Sequence, residues 1–177
     1  GELFVMDDGW FGNKYPRNGA DSSLGDWEVC KEKLPDGIEG LLKSAKKYGI
    51  KFGLWIEPEM ANTKSELFEK HPDWILHIKN RPLSTGRGKT QVVLDLTNPE
   101  VQDFVFGVVD NLMTKYPEIY YMKWDDNSSL MDYGSPYLPQ EKQSHLYIEY
   151  HRGLHKVLKR IRDKYPNLVL QACAGGG

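Results

Sequence analysis

The chain has 177 residues, 40% hydrophobic and 27% charged, enough for one domain with a sizeable core. Its net charge of -2 comes from 23 basic and 25 acidic residues without a basic run, so neither nucleic acid nor an anionic membrane is an expected partner. No apolar run reaches membrane length, and Cys30 and Cys173 stand far apart without a CxxC or Cys/His ligand spacing, so no disulfide is implied.

Leu3–Met6 reads as a short strand running into Asp7-Asp8-Gly9-Trp10. The stretch 12–34 is rich in Gly, Asn, Asp and Ser and has little periodicity; a loop of that length in a compact domain is usually functional. Pro35 and Asp36 open a helix in which Ile38, Leu41, Leu42, Ala45 and Tyr48 keep helical spacing, and Gly49 closes it. Residues 50–56 form the next strand, which ends at Glu57-Pro58-Glu59-Met60, where Pro58 stops the ladder. A short helix over 65–70 follows, closed by His71-Pro72. Residues 74–78 read as a strand, within an excursion that loops through Arg81, Pro82, Gly86 and Arg87.

The run 91–96 is apolar and β-rich. Asn98 and Pro99 then start a helix reaching about Lys115, with Val101, Phe104, Val105, Val108, Val109 and Leu112 inward. A strand over 119–125, a loop rich in Ser, Gly and Pro, a helix over roughly 141–164 and a strand over 168–173 complete the order. Strands alternating with helices predict a parallel sheet with right-handed crossovers. Two architectures offer that pattern, a doubly wound sheet and a barrel. The first βα turn carries no G-x-G-x-x-G, and there is no P-loop. Polar residues gather instead at strand C-termini: Asp7 and Asp8, Trp55 and Glu57, Lys123 and Asp125, then Cys173. Barrel enzymes build their sites at that face. The fold class expected is α/β, part of a (β/α)8 TIM barrel. Residues 1–177 would be one incomplete catalytic barrel domain, about strands 2 to 5, with strands missing at both ends. The opening on Gly1 and the stop at Gly177 directly after a strand fit a piece of a larger protein. Unpaired sheet edges would then invite self-association. No leader is visible, and the compartment is unassigned, cytoplasmic being favoured for a bacterial source.

The informative segment is Tyr121-Met122-Lys123-Trp124-Asp125-Asp126-Asn127. Alternation along a strand puts Lys123, Asp125 and Asn127 on one face. Either Lys123 and Asp125 form a structural ion pair, or Asp125 is a catalytic carboxylate held ionised by Lys123. Carboxylates converging from strand ends suit metal-assisted chemistry or glycoside cleavage. An ammonium at Lys123 would occupy the place a metal needs. Glu57, Glu59 and Asp95 are the ligands a metal-dependent lyase or isomerase would use. The five histidines fall mostly in helical or loop contexts that suit solvated or capping roles. Asp7 and Asp8 can accept sugar hydroxyls or cap a turn, and Trp55 can wall a sugar pocket or fill a core.

Six collinear motifs resemble the catalytic barrel of the α-galactosidases of glycoside hydrolase family 36. They are Asp7-Asp8-Gly9-Trp10-Phe11-Gly12; Ser23-Leu24-Gly25-Asp26-Trp27; Phe52-Gly53-Leu54-Trp55-Ile56-Glu57-Pro58-Glu59-Met60; His71-Pro72-Asp73-Trp74; Val93-Leu94-Asp95-Leu96; and Lys123-Trp124-Asp125 with Asn127. The resemblance covers essentially the whole chain. It implies a retaining α-galactosidase acting on terminal α-galactosides such as melibiose and raffinose-family sugars, homo-oligomeric when intact, with no cofactor and no metal. Asp125 would be the nucleophile. Asp7, Asp8, Trp55, Arg87, Lys123, Asn127, Cys173 and Gly176 would be sugar contacts, with Arg81 as the fallback for Arg87.

The sequence departs from the family where Asp126-Asn127-Ser128 stands in place of Met-Asn-Arg, and where Gln171-Ala172-Cys173-Ala174 replaces Glu-x-Cys-Ser. The resemblance also implies an acid/base Asp on the strand beyond Gly177, which would leave these residues alone inactive. Other readings are an α-N-acetylgalactosaminidase, a galactosyl transferase, or a sugar-binding module without turnover.

Overall fold

The computed structural model describes residues 1–130 and 132–174. Its elements are β1 (Leu3–Met6), α1 (Gly37–Lys47), β2 (Lys51–Ile56), β3 (Met60–Asn62), α2 (Glu66–Lys70), β4 (Gln91–Val93), α3 (Pro99–Lys115), β5 (Ile119–Asp126), α4 (Leu146–Lys164) and β6 (Val169–Ala174). Four strands form one parallel sheet in the order β1-β2-β5-β6. That order follows the chain without a reversal. A doubly wound sheet changes direction at a switch point, whereas successive neighbours are what an arc of a (β/α)8 barrel requires. The sheet is part of such a barrel.

Register decides what each face holds. Leu54 pairs with Met6 and Met122, and Ile56 with Trp124. Phe52, Leu54, Ile56, Met122 and Trp124 therefore share one face, and all are buried. They join one apolar cluster with Val101, Val105, Val109 and Leu112 of α3 and Leu146, Val157 and Ile161 of α4. Each such side chain taken from water contributes about 1.5–3 kcal/mol. The opposite face carries Trp55, Lys123 and Asp125, the polar set at the strand ends.

Local signals explain the helix starts. The Asn98 side chain accepts the Glu100 N–H at 2.9 Å and Pro99 takes the first turn. Ser65 caps α2 by accepting the Phe68 N–H at 3.0 Å, and Asp26 from the 12–34 loop takes the Glu66 and Leu67 N–H groups at 2.9 and 3.0 Å. Gly49 adopts φ 66° after α1, the left-handed conformation that glycine permits.

Three expectations need correction. Residues 74–78 are not a strand: Pro72–Trp74 form a 3-10 turn, and Ile75 makes a single bridge to Leu94. The 91–96 run is a strand only at β4, which pairs antiparallel with β3 and so stands outside the parallel sheet. The last long helix begins at Leu146, after a 3-10 stretch Gln140–His145.

Gly153 shows how closely α4 is seated. A Cβ there would lie 1.9 Å from the Leu96 carbonyl oxygen, which already accepts the Gln102 side chain at 2.8 Å. Helix propensity alone favours alanine by about 1 kcal/mol. The clash is with backbone and outweighs that gain. Gly153→Ala should lower stability by about 1–3 kcal/mol, read as a drop in the urea midpoint; an unchanged or higher midpoint would mean that α4 can shift freely.

Candidate active site

Parallel register brings the strand-end residues together. Trp55 stands beside Lys123, Lys123 beside Gln171, and Asp125 beside Cys173. Asp125 is only 7% exposed. Its Oδ2 accepts the Trp55 indole N–H at 2.9 Å and its Oδ1 the Asp126 backbone N–H at 3.1 Å. Burial pushes its pKa up, but the hydrogens of Trp55, Asn127, Cys173 and the Asp126 backbone turned towards it win, and the carboxyl is held below its ordinary value. The Cys173 thiol, beside that carboxylate, is pushed up.

Lys123 plays a different part from the one expected. Its Nζ donates to Asp7 Oδ2 at 2.9 Å, and that bond is the leading cause of its raised pKa. Asp125 is held ionised by neutral donors, while the Lys123 ammonium reaches across to Asp7 at the end of β1, two strands from β5. Burial raises Asp7, and the Asp8 backbone N–H at 2.8 Å together with Lys123 more than reverses this, leaving it lowered.

Asp8 is fixed by a residue that the motifs do not point to. Arg17 donates Nε to Asp8 Oδ1 at 3.0 Å and NH2 to Oδ2 at 2.9 Å, while its NH1 donates to the Ser22 carbonyl at 2.8 Å and to Asn62 Oδ1 at 3.1 Å. The Asn62 amide also bonds Leu24, Ala20 and Thr90, so it knits the 12–34 loop to the end of β3. The signal was the single arginine in a long glycine-rich loop just past the Asp pair.

Trp55 is 1% exposed and covered by Phe11, whose ring lies parallel at 6.1 Å, and by Trp27 at 6.2 Å. Its ring is core rather than an open sugar wall; its contribution is the indole N–H on Asp125. Arg87 lies exposed on a 3-10 turn, Arg87–Lys89. Among the described residues neither it nor Arg81 makes a side-chain hydrogen bond or ion pair, so the structure does not join them to the cluster. Gly176 lies outside the described residues.

The carboxylates of the metal reading do not converge. Glu59 accepts Trp124 Nε1 at 2.8 Å and the Tyr150 hydroxyl at 2.6 Å. Asp95 accepts the Thr97 and Ser135 hydroxyls, each at 2.5 Å. Among the described residues no three His, Cys, Asp or Glu side chains group as metal ligands.

The rim above this floor is stitched from two loops. Asp132 accepts the Ile78 N–H at 2.6 Å and the Ser84 N–H at 3.3 Å, and the Gly134 carbonyl accepts the His77 N–H at 2.7 Å. Gly134 is required there, since a Cβ would meet the His77 carbonyl oxygen at 2.2 Å.

A buried carboxylate held below its ordinary pKa at the end of a barrel strand, with a Lys–Asp and an Arg–Asp pair at the same sheet end, stands where barrel enzymes build their sites. The family model described as Melibiase matches residues 1–177, and the chain belongs to that family. It is 44% identical to the α-galactosidase AgaA of Geobacillus stearothermophilus and 41% identical to α-galactosidase 1 of Pediococcus pentosaceus, in each case over 99% of this chain. It spans 23% of the length of each of those relatives. Crystal structures of glycoside hydrolase family 36 AgaA variants superpose with TM-scores of 0.93 for the raffinose complex (44% identity) and 0.92 for the stachyose complex (43% identity). Each alignment covers 99% of this chain and 24% of the other.

Proposed function

We propose that this chain is part of the catalytic barrel of a retaining α-galactosidase and that Asp125 is its nucleophile. The observation that carries the reading is the state of Asp125: buried, ionised and held by neutral hydrogen-bond donors rather than neutralised by a bridging cation. Asp125 attacks the anomeric carbon as the bond to the leaving oxygen breaks, and a covalent galactosyl ester forms. A second carboxyl group about 5–5.5 Å away gives its proton to the leaving oxygen and then takes one from the water that cleaves the ester. We assign that group to the strand following Gly177. Asp7, Asp8, Lys123, Asn127 and Cys173 border the sugar position, with Lys123 and Arg17 setting the two aspartates. The relatives crystallised with raffinose and stachyose support terminal α-galactosides as substrates. The intact enzyme is a homo-oligomer in this reading.

The test is hydrolysis of an aryl α-galactoside by the full-length protein, with the first-formed sugar anomer read by NMR. α-Galactose as the first product is expected, and no turnover from the 177-residue chain alone. β-Galactose first would overturn the retaining mechanism, and no turnover from a folded full-length protein would overturn the assignment.

A further inference from the structure

Beside the nucleophile lies a carboxyl group that the reaction as described does not use. Glu57 follows Ile56 at the end of β2, and Ile56 pairs with Trp124, so Glu57 stands next in register to Asp125. It is completely buried. Its Oε1 accepts the Asn127 backbone N–H at 2.7 Å and the Gln91 Nε2 at 2.9 Å. It thus ties the strand end that carries Asp125 to β4.

Two oxygens in this pair are left over. Glu57 Oε2 and Gln91 Oε1 are both buried without a hydrogen-bond partner. Two acceptors buried without a donor are costly. A carboxylic acid and a primary amide pair through two hydrogen bonds in a ring, amide N–H to carbonyl oxygen and acid O–H to amide oxygen. The first of these bonds is formed. The second requires a proton on Glu57 Oε2 turned to the Gln91 oxygen, and it would satisfy both leftover oxygens at once.

We propose that Glu57, protonated on Oε2 and paired with Gln91, is a positioning residue that fixes the Asn127 backbone and with it the end of the nucleophile strand, presenting the Asn127 amide to the sugar. This rests on the glycosidase reading. Full burial keeps Glu57 from touching substrate, so it is not a second acid/base.

The electrostatics agree. Burial pushes Glu57 from an ordinary 4.5 up to about 7; the Asn127 and Gln91 hydrogen bonds pull against this, and the charge of Asp125 adds to it. From β5 the charged group facing it is Asp125, from β4 the neutral Gln91, and from the loop after β5 the neutral Asn127. Above pH 7 the ring loses its second bond and a second negative charge appears beside Asp125.

The experiment uses 2,4-dinitrophenyl α-galactoside, whose leaving group needs no proton, so the acid/base drops out of kcat/KM. In the full-length protein, kcat/KM should fall about tenfold by pH 8, because a group titrating near 7 is then about one-tenth protonated. Glu57→Gln, which pairs with Gln91 at every pH, should stay level within about twofold over this range, while Glu57→Ala, which pairs at none, should be low throughout. Profiles of Glu57→Gln and wild type that run parallel would overturn the proposal. So would a folded Glu57→Gln that is inactive at all pH values. The carboxyl titration of Glu57 in ¹³C-labelled protein, identified by its loss in Glu57→Gln, reads the same group without activity. A midpoint near 7 supports the pairing and one near 4.5 overturns it. A wild type that cleaves no α-galactoside sinks the glycosidase reading instead, and the titration alone then decides whether Glu57 holds its proton.

Discussion

Asp125→Ala should remove at least about four orders of magnitude of turnover on an aryl α-galactoside, because the variant has no atom left to form the ester. The loss has a structural component as well. The Trp55 indole N–H would be left buried without its acceptor, which costs about 1–3 kcal/mol. Asp125→Asn keeps the acceptor and nearly the shape, so the two variants separate folding from chemistry. Both should be inactive, and the asparagine variant should unfold near the wild-type urea midpoint. The decisive arm is azide. In the alanine variant the missing side chain leaves room for the anion on the β face, and with an activated leaving group the product should be β-galactosyl azide. Turnover surviving either substitution would take the nucleophile role away from Asp125.

The second large effect is on stability. Arg17→Met should cost about 3 kcal/mol, the low end of the 3–5 kcal/mol for breaking a buried ion pair. The low end applies because the Arg17 side chain is 2% exposed and that of Asp8 is 30% exposed, so water recovers part of the aspartate's loss. The variant also strips the Ser22 carbonyl of a donor and frees the 12–34 loop from Asn62. Arg17→Lys should regain little, since an ammonium cannot span a carboxylate, a carbonyl and an amide in one plane. Urea unfolding reads the stability. If Asp8 borders the sugar as proposed, away from the bond that breaks, KM on the galactoside should rise more than kcat falls. A midpoint within about 0.5 kcal/mol of wild type would show that the pair is a solvated surface contact.

What was legible from sequence is what strands repeat: alternation and strand ends. The positions of Asp7, Asp8, Lys123 and Asp125 at one end of a parallel sheet followed from periodicity, because a side chain's face is fixed by its own strand. Its partner is not. Whether Lys123 turns to Asp125 on its own strand or to Asp7 at the end of β1, two strands away, is set by strand order and register. The loops were the least legible. Arg17 meets Asp8 from within the aperiodic 12–34 loop, and the pairing of β3 with β4 joins segments separated by α2 and two 3-10 turns, where no local period exists. Arg87 follows from the resemblance alone, and the geometry leaves it apart from the cluster.

The hydrogen bonds of Asp132 and Gly134 to the 77–84 stretch have a consequence for how this barrel could diversify. The carboxylates stand on the sheet, whose spacing cannot change without unpairing strands. The two stitched loops above them are held where backbone N–H groups of 77–84 meet the Asp132 carboxylate and the Gly134 carbonyl, so those two positions are fixed while the stretches beside them lie off the sheet. Insertions or deletions there would reshape the entrance, and with it the range of leaving groups admitted, while the reacting atoms keep their places.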